Sequence, residues 1–178
     1  MLQKCNIIKT AGVFFKEPTK QHYLIEISRK TNLAHTSTKQ HLKQLIKLGI
    51  IDETKEKRGK RVFPIYKANF NEETYRKYKR YYNIYSLEQS GLIEHLVRKL
   101  TPHCLVLFGS YQRGEDIEDS DIDLFIERGE KNLDLKKFEK ILNREIQIHF
   151  KKSFKDYHKG LKINIANGIV LQGHLDAF

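Results

Sequence analysis

The sequence predicts an α+β protein with two folded parts, residues 1–70 and 102–178, joined by a helical connector over 71–101. Three observations predict it. Residues 1–48 repeat their apolar side chains every three to four positions, the helical period, and short strand-like runs follow. Residues 105–127 hold two apolar runs separated by Gly109-Ser110 and an acidic turn, the pattern of two buried strands. Charge is also uneven: residues 1–100 carry 21 Lys and Arg against 9 Asp and Glu, whereas residues 101–178 carry 12 against 13. A net of +12 beside one of −1 separates a basic part, suited to an acidic partner, from a nearly neutral one.

The 178 residues suffice for one domain or two small ones. A hydrophobic content of 39% with 31% charged residues fits a folded chain rather than a disordered one. No apolar run approaches the ~18 residues of a membrane span, and Met1-Leu2-Gln3-Lys4 opens no apolar signal segment. The expectation is therefore a cytoplasmic location and no membrane. Cys5 and Cys104 sit in neither a CxxC nor a Cys/His spacing, which predicts a reduced setting without disulfide or structural zinc.

In order along the chain, Ile7, Ile8, Ala11, Phe14 and Phe15 give a helix over Cys5–Phe15, stopped by Glu17-Pro18. A second helix is expected from about Gln21 to Lys30, with Leu24, Ile25 and Ile27 inward. After the turn Thr31-Asn32-Leu33, a third runs from about Ser37 to Leu48, with Leu42, Leu45 and Ile46 as its stripe and Gly49 as its stop. Two short helices joined by a tight turn form a helix-turn-helix unit. Ile50–Glu53 and Val62–Tyr66 are strand-like, with the basic run Lys55-Glu56-Lys57-Arg58-Gly59-Lys60-Arg61 between them.

This order resembles the winged helix-turn-helix of bacterial and archaeal transcription regulators. The resemblance covers residues 1–70 and implies double-stranded DNA as partner, with the third helix in the major groove and the hairpin on the backbone. The third helix would present His35, Thr36, Thr38, Lys39, His41 and Lys43, types that suit phosphates and a few bases. Lys55, Lys57, Arg58, Lys60 and Arg61 of the hairpin would neutralise phosphates. The alternative is the same fold used for protein contacts, its lysines an ordinary solvated surface; the net of +10 over residues 1–70 favours DNA.

Asn71-Glu72-Glu73 opens the connector with acidic residues in a first helical turn. The run from Tyr75 to Tyr82 alternates rings and cations, which suits either nucleic-acid stacking or a helix packing Tyr75, Tyr78 and Tyr82 on a neighbour. Ser86-Leu87-Glu88-Gln89 reads as a capping box beginning a helix with Leu92, Ile93, Leu96 and Leu100 on one face, ended by Thr101-Pro102. Amphipathic helices here, beside a helix-turn-helix, lead to the expectation of a homodimer.

In the last part, Leu105–Phe108 is a buried strand that stops at Gly109-Ser110, and the next strand begins with Asp121 and Asp123. Side chains two apart on a strand share a face, so the carboxylates converge while Ile122 and Leu124 face the core. Two such anions side by side call for a hard cation such as Mg²⁺ between them. A helix over Asp134–Leu142 with Leu135, Phe138, Ile141 and Leu142 inward, a strand Glu145–Phe150, a helix near Tyr157–Asn167 and a strand Ile169–Leu171 complete a small mixed sheet, with helices covering one face. Gly109 and Gly114 have the glycine spacing of a P-loop, but Glu115-Asp116 occupy the Lys-Ser/Thr positions, which excludes it.

The pattern Gly109-Ser110, Arg113-Gly114, Ser120-Asp121-Ile122-Asp123 closely resembles the minimal nucleotidyltransferases of the DNA polymerase β superfamily, and the ending Asn167–Gly173 resembles the close of such chains. The resemblance covers most of residues 102–178. It implies that Gly109, Ser110 and Arg113 receive the triphosphate of a nucleotide, and that Asp121 and Asp123 are the catalytic carboxylates holding one or two Mg²⁺ ions. Arg113 could equally pair with Glu115 or Asp116, and Tyr111 either packs on the base or covers the turn. Active members carry a third carboxylate on the third strand; here the position is Gln147, whose amide can touch a metal but accepts no proton at neutral pH. Glu145 and His149 share its face, either as substitutes or as surface residues. Two functions follow. One is a DNA-associated protein that binds a nucleoside triphosphate with Mg²⁺ and transfers a nucleotidyl group to a protein or small molecule. The other is a non-catalytic transcription regulator whose transferase-like domain senses a ligand or dimerises. Some minimal nucleotidyltransferases also act as antitoxins that modify a partner toxin, a third and weaker implication.

Overall fold

The computed structural model describes residues 5–154 and 158–176. Among these the chain is a mixed α+β protein with eight α-helices and two small sheets. It divides into two compact units between Tyr82 and Asn83.

The first unit begins with α1 (Asn6–Lys16), which buries Thr10 to Phe15. Gln21–Tyr23, expected to open a helix, instead form a short strand, β1, paired antiparallel with β3 (Arg61–Ala68). The cause is His22, fully buried opposite Tyr66 and edge-on to the Phe14 ring, a one-in-two burial that a helix would not give. Helix α2 therefore starts at Leu24 and runs Leu24–Thr31, with Ile27, Ser28 and Thr31 inward. Ile25, expected inward, is 53% exposed.

The third helix, α3 (His35–Lys47), starts two residues before the expected point and buries Leu42 and Leu45. Gly49, at φ +71, ends it: its N–H donates to the Ile46 carbonyl and that of Ile50 to Leu45, a Schellman closure that needs a left-handed residue. The strands that follow, β2 (Ile51–Arg58) and β3, are longer than the sequence suggests. Their register runs unbroken from Ile51↔Ala68 to Arg58↔Arg61, leaving a two-residue turn whose first position, Gly59, has φ +60. Most of the basic run is strand rather than loop. Pro64 falls just beyond the three residues that pair with β1, where its missing N–H costs no ladder bond on that side. Phe14, Ile27, Leu42, Leu45, Ile51 and Tyr75 form the core, and the Tyr75 hydroxyl donates to the Phe14 carbonyl at 2.8 Å. Each such side chain contributes about 1.5–3 kcal/mol by burial. Tyr82 packs on Phe15, ring centroids 5.2 Å apart, but Tyr78, expected to pack, is 39% exposed.

Helix α4 (Glu73–Ser90) passes straight through Ser86, where a capping box was expected. The interruption comes at Gly91, whose φ of +74 only glycine takes without strain. The Ser90 hydroxyl there accepts from the Leu92 N–H at 3.1 Å and opens α5 (Leu92–Leu100).

In the second unit, β4 (Cys104–Phe108), β5 (Ile122–Glu127), β6 (Ile146–Lys151) and β7 (Ile169–Gly173) form one sheet in the order β6-β5-β4-β7. β4 is antiparallel to both neighbours; β5 and β6 are parallel, connected through α7 (Lys136–Leu142). All five residues of β4 are buried, so both faces of the sheet are covered, not one as expected. Leu105, Leu107, Ile122, Leu124 and Ile126 pack with Leu92 and Leu96 of α5 and Phe138 of α7. Cys104, Val106, Phe108 and Phe125 on the other face pack with Phe154 and with Ile165 of α8 (Lys159–Ala166). Ile141 of α7 is 50% exposed, against expectation, because Leu135, Phe138 and Leu142 already fill the inner stripe. Tyr157, where the late helix was expected to begin, lies outside the described residues.

A buried polar knot secures the loop after β4. The Asn83 amide donates to the Tyr111 carbonyl and to the Asp116 carboxylate, both at 2.8 Å, and Arg144 reaches Asp116 at 3.5 Å. Replacing Asn83 by Ala removes two buried hydrogen bonds and leaves Asp116 under-solvated. A loss of about 2–3 kcal/mol in urea unfolding is expected; a loss below about 0.5 kcal/mol would mean that water takes the place of the amide.

Candidate active site

Phe108 ends β4 directly opposite Asp123 of β5, so the next residue, Gly109, meets the Asp123 side chain. A Cβ on Gly109 would lie 2.2 Å from Asp123 Oδ2, and its φ is +80. Two independent demands, space and backbone conformation, thus select glycine. The chain after it forms a short helix, α6 (Gly109–Arg113), rather than a bare turn. It returns at Gly114, φ +72, and the Glu115 N–H closes on the Ser110 carbonyl at 3.0 Å.

Strand alternation does the rest. Ile122 and Leu124 are fully buried on one face, and half-buried Asp121 and Asp123 share the other with Phe125. The parallel register sets Gln147 of β6 beside Asp123 and His149 beside Phe125. Gln147 Nε2 donates to Asp121 Oδ2 at 2.6 Å, while His149 Nε2 lies 3.4 Å from Asp123 Oδ1 with its ring against Phe108. His149 is therefore drawn into the site, whereas Glu145 stays exposed.

A cavity of about 420 Å³ opens at Asp121, lined also by Glu118, Asp119, Ser120, Glu139, Arg144 and Glu145. Its one lining cation, Arg144, is engaged with Asp116, and outside the cavity Arg113 pairs with Glu115 at 2.7 Å. Ser110 is half-buried at the turn, and Tyr111 is a core residue, 4% exposed. A triphosphate entering so acidic a hollow needs cations with it. Asp121 and Asp123 offer the hard oxygen donors that Mg²⁺ selects, and the Gln147 amide, turned over, would add a carbonyl oxygen.

Residues 90–171 match the family model of the nucleotidyltransferase domain. The match takes in both motif strands, the Gly109-Ser110 turn and β6. No curated protein and no solved structure matches the chain.

In the first unit, the residues expected to meet DNA separate into two sets. Thr36, Lys39, Lys43, Lys57, Lys60 and Arg61 are exposed. Thr38 is not available: fully buried, it donates to the Ala34 carbonyl and accepts from the Ser28 hydroxyl. Position 38 stands four residues before Leu42 and seven before Leu45, so it falls on the same inward stripe of α3. His41 is likewise turned aside, within 3.1 Å of the Thr10 hydroxyl. Arg58 lies over the Tyr23 ring and bonds to Glu56, so it braces the hairpin.

The sequence missed the Asn83–Asp116–Arg144 knot, for which no local spacing gives a signal. The Gly109 contact leads to a direct test. Gly109→Ala pushes the Asp123 carboxylate from its place, and nucleotide binding should fall by at least about tenfold, a loss of 1.4 kcal/mol or more, with an unchanged far-UV spectrum. Wild-type affinity in a folded variant would show that Asp123 has no part in binding.

Proposed function

We propose that the chain is a DNA-binding protein whose nucleotidyltransferase domain binds a nucleoside triphosphate with Mg²⁺ and transfers its nucleotidyl group to a protein or small-molecule acceptor. The observation that carries this reading is the side-chain-free approach of Gly109 to Asp123, which sets the Gly109-Ser110 backbone directly beside the paired carboxylates. Asp121 and Asp123 would hold the Mg²⁺, which would offset the negative charge of the phosphates. The Gly109-Ser110 backbone and the Ser110 hydroxyl supply donors to the phosphates. His149, beside Asp123, is placed to take a proton from an attacking hydroxyl, the task a carboxylate at position 147 would otherwise perform.

A second reading keeps the nucleotide and drops the chemistry. Gln147 favours it, because its amide satisfies Asp121 as a hydrogen-bond donor and cannot act as a base. In that case the domain is a nucleotide-sensing part of a transcription regulator. For residues 1–70 the reading is a winged helix-turn-helix with α3 in the major groove, supported by the exposed Thr36, Lys39 and Lys43 and by the hairpin cations Lys57, Lys60 and Arg61. A homodimer on the DNA is part of the same reading.

Titration of labelled ATP, GTP, CTP and UTP should find Mg²⁺-dependent binding of at least one, abolished by chelator and by Asp121→Asn. Gln147→Asp adds a third carboxylate and should lower the Mg²⁺ needed for half-maximal binding by about tenfold. Binding of none of the four would remove the enzyme reading. For DNA, the triple variant Lys57→Glu, Lys60→Glu, Arg61→Glu should weaken duplex binding by at least about 100-fold and flatten its salt dependence by roughly three charges' worth of slope. Equal affinity would return the basic hairpin to ordinary surface.

A further inference from the structure

Among the described residues, two groups of histidines and carboxylates bring three ligand atoms within 4.8 Å of one another: Glu17, His22 and Glu26, and His103, His174 and Asp176. The first is already neutralised, since Lys30 pairs with both carboxylates and Lys20 with Glu17. The second is different. Among the described residues no lysine or arginine pairs with Asp176 or with its neighbour Glu127.

The sheet builds this second group. His103 precedes β4, His174 follows β7, and Glu127 closes β5, so three strand ends meet there. Gly173 brings them together: at φ +73, the place of its missing Cβ lies 1.9 Å from the His103 carbonyl oxygen. Any side chain at that position would force β7 off the backbone of His103. The two rings consequently stand 4.4 Å apart, centroid to centroid. Asp176 reaches both, with Oδ2 at 3.4 Å from His103 Nε2 and Oδ1 at 3.6 Å from His174 Nε2. These are long for hydrogen bonds. They are close to the ~3.3 Å edge of a tetrahedron drawn with bonds of ~2.0–2.1 Å, the lengths usual for zinc.

Glu127 supplies an independent observation. It is 7% exposed, and one oxygen accepts from the Phe154 N–H at 2.9 Å. The other, Oε2, is buried without a hydrogen-bond partner and lies 4.0 Å from His103 Nε2. A buried carboxylate oxygen left bare costs about 1–3 kcal/mol or more, and a cation between it and the imidazole removes that cost.

We propose that His103, His174 and Asp176, backed by Glu127, bind a divalent transition-metal ion of the zinc class. Two imidazole nitrogens with carboxylate oxygens suit Zn²⁺ and its first-row neighbours rather than Mg²⁺ or Ca²⁺. The ion pins the ends of β4, β5 and β7. It sits at the end of the sheet opposite Asp121 and Asp123, about 16 Å away along the five residues of β4. The site does not depend on the nucleotide reading.

The test uses the full chain, stripped with chelator, and titrates Zn²⁺ against a chromophoric chelator in excess Mg²⁺. One Zn²⁺ per chain is expected, with Co²⁺ substitution giving the strong visible bands of a four-coordinate ion. His174→Ala and Asp176→Asn, both at exposed positions and checked by circular dichroism, should each weaken Zn²⁺ affinity by about 100-fold or more, and Glu127→Gln by about tenfold. His158→Ala, an exposed histidine outside the group, should leave it unchanged. Absence of stoichiometric Zn²⁺ in the wild type, or wild-type affinity in both His174→Ala and Asp176→Asn, overturns the proposal.

Discussion

The approach of the Asp123 carboxylate to the Gly109 backbone sets the geometry of the second unit's site. It follows from one register, Phe108 opposite Asp123, which β4 and β5 adopt because their apolar residues must alternate between two covered faces. Slipping that register by one residue would send Asp121 and Asp123 into the core and Leu124 to the surface. Core packing and site geometry therefore impose the same constraint on where the carboxylates stand.

Electrostatically, the unit manages its acidic residues in two ways. Asp116 is buried and met by an arginine and an amide, so its cost is offset within the fold. Asp121 and Asp123 are left half-buried, met by an uncharged amide and an imidazole. Their mutual repulsion is tolerable while water reaches them, and it makes them receptive to a cation. The neutral Gln147 softens this repulsion relative to a third carboxylate and leaves no proton acceptor at that position.

How much could be read from the sequence varied with how local each cause was. The two motif strands, the glycine at position 109 and the face shared by Asp121 and Asp123 were all legible, because period-two alternation and a Gly-Ser stop are short-range signals. The helix break at Gly91 was missed: a plausible capping box at Ser86 drew attention from the residue whose backbone freedom decides. β1 was missed because its three residues become a strand only by pairing with β3, more than forty positions away. Thr38 stands four residues before Leu42 and seven before Leu45, so its inward place was legible in the helical spacing, and only its polar type suggested the outer face. His149 was seen as one of two neighbours of Gln147, and only the β5–β6 register separates it from Glu145. The cysteines gave no zinc spacing, and the histidines near zinc geometry are some 70 residues apart in the chain.

β4 occupies the centre of its sheet, yet its two partners come from very different distances along the chain. β5 follows after 13 residues, while β7 must return across 60. The closer hairpin has the smaller entropy of closure and β7 the larger, so the sheet gains its last strand late. Until then β4, with five residues that all end up buried, has one bare edge of unpaired amides between apolar side chains. The same strand that organises the finished site is thus the part of the chain most prone to stick to another copy while folding is incomplete.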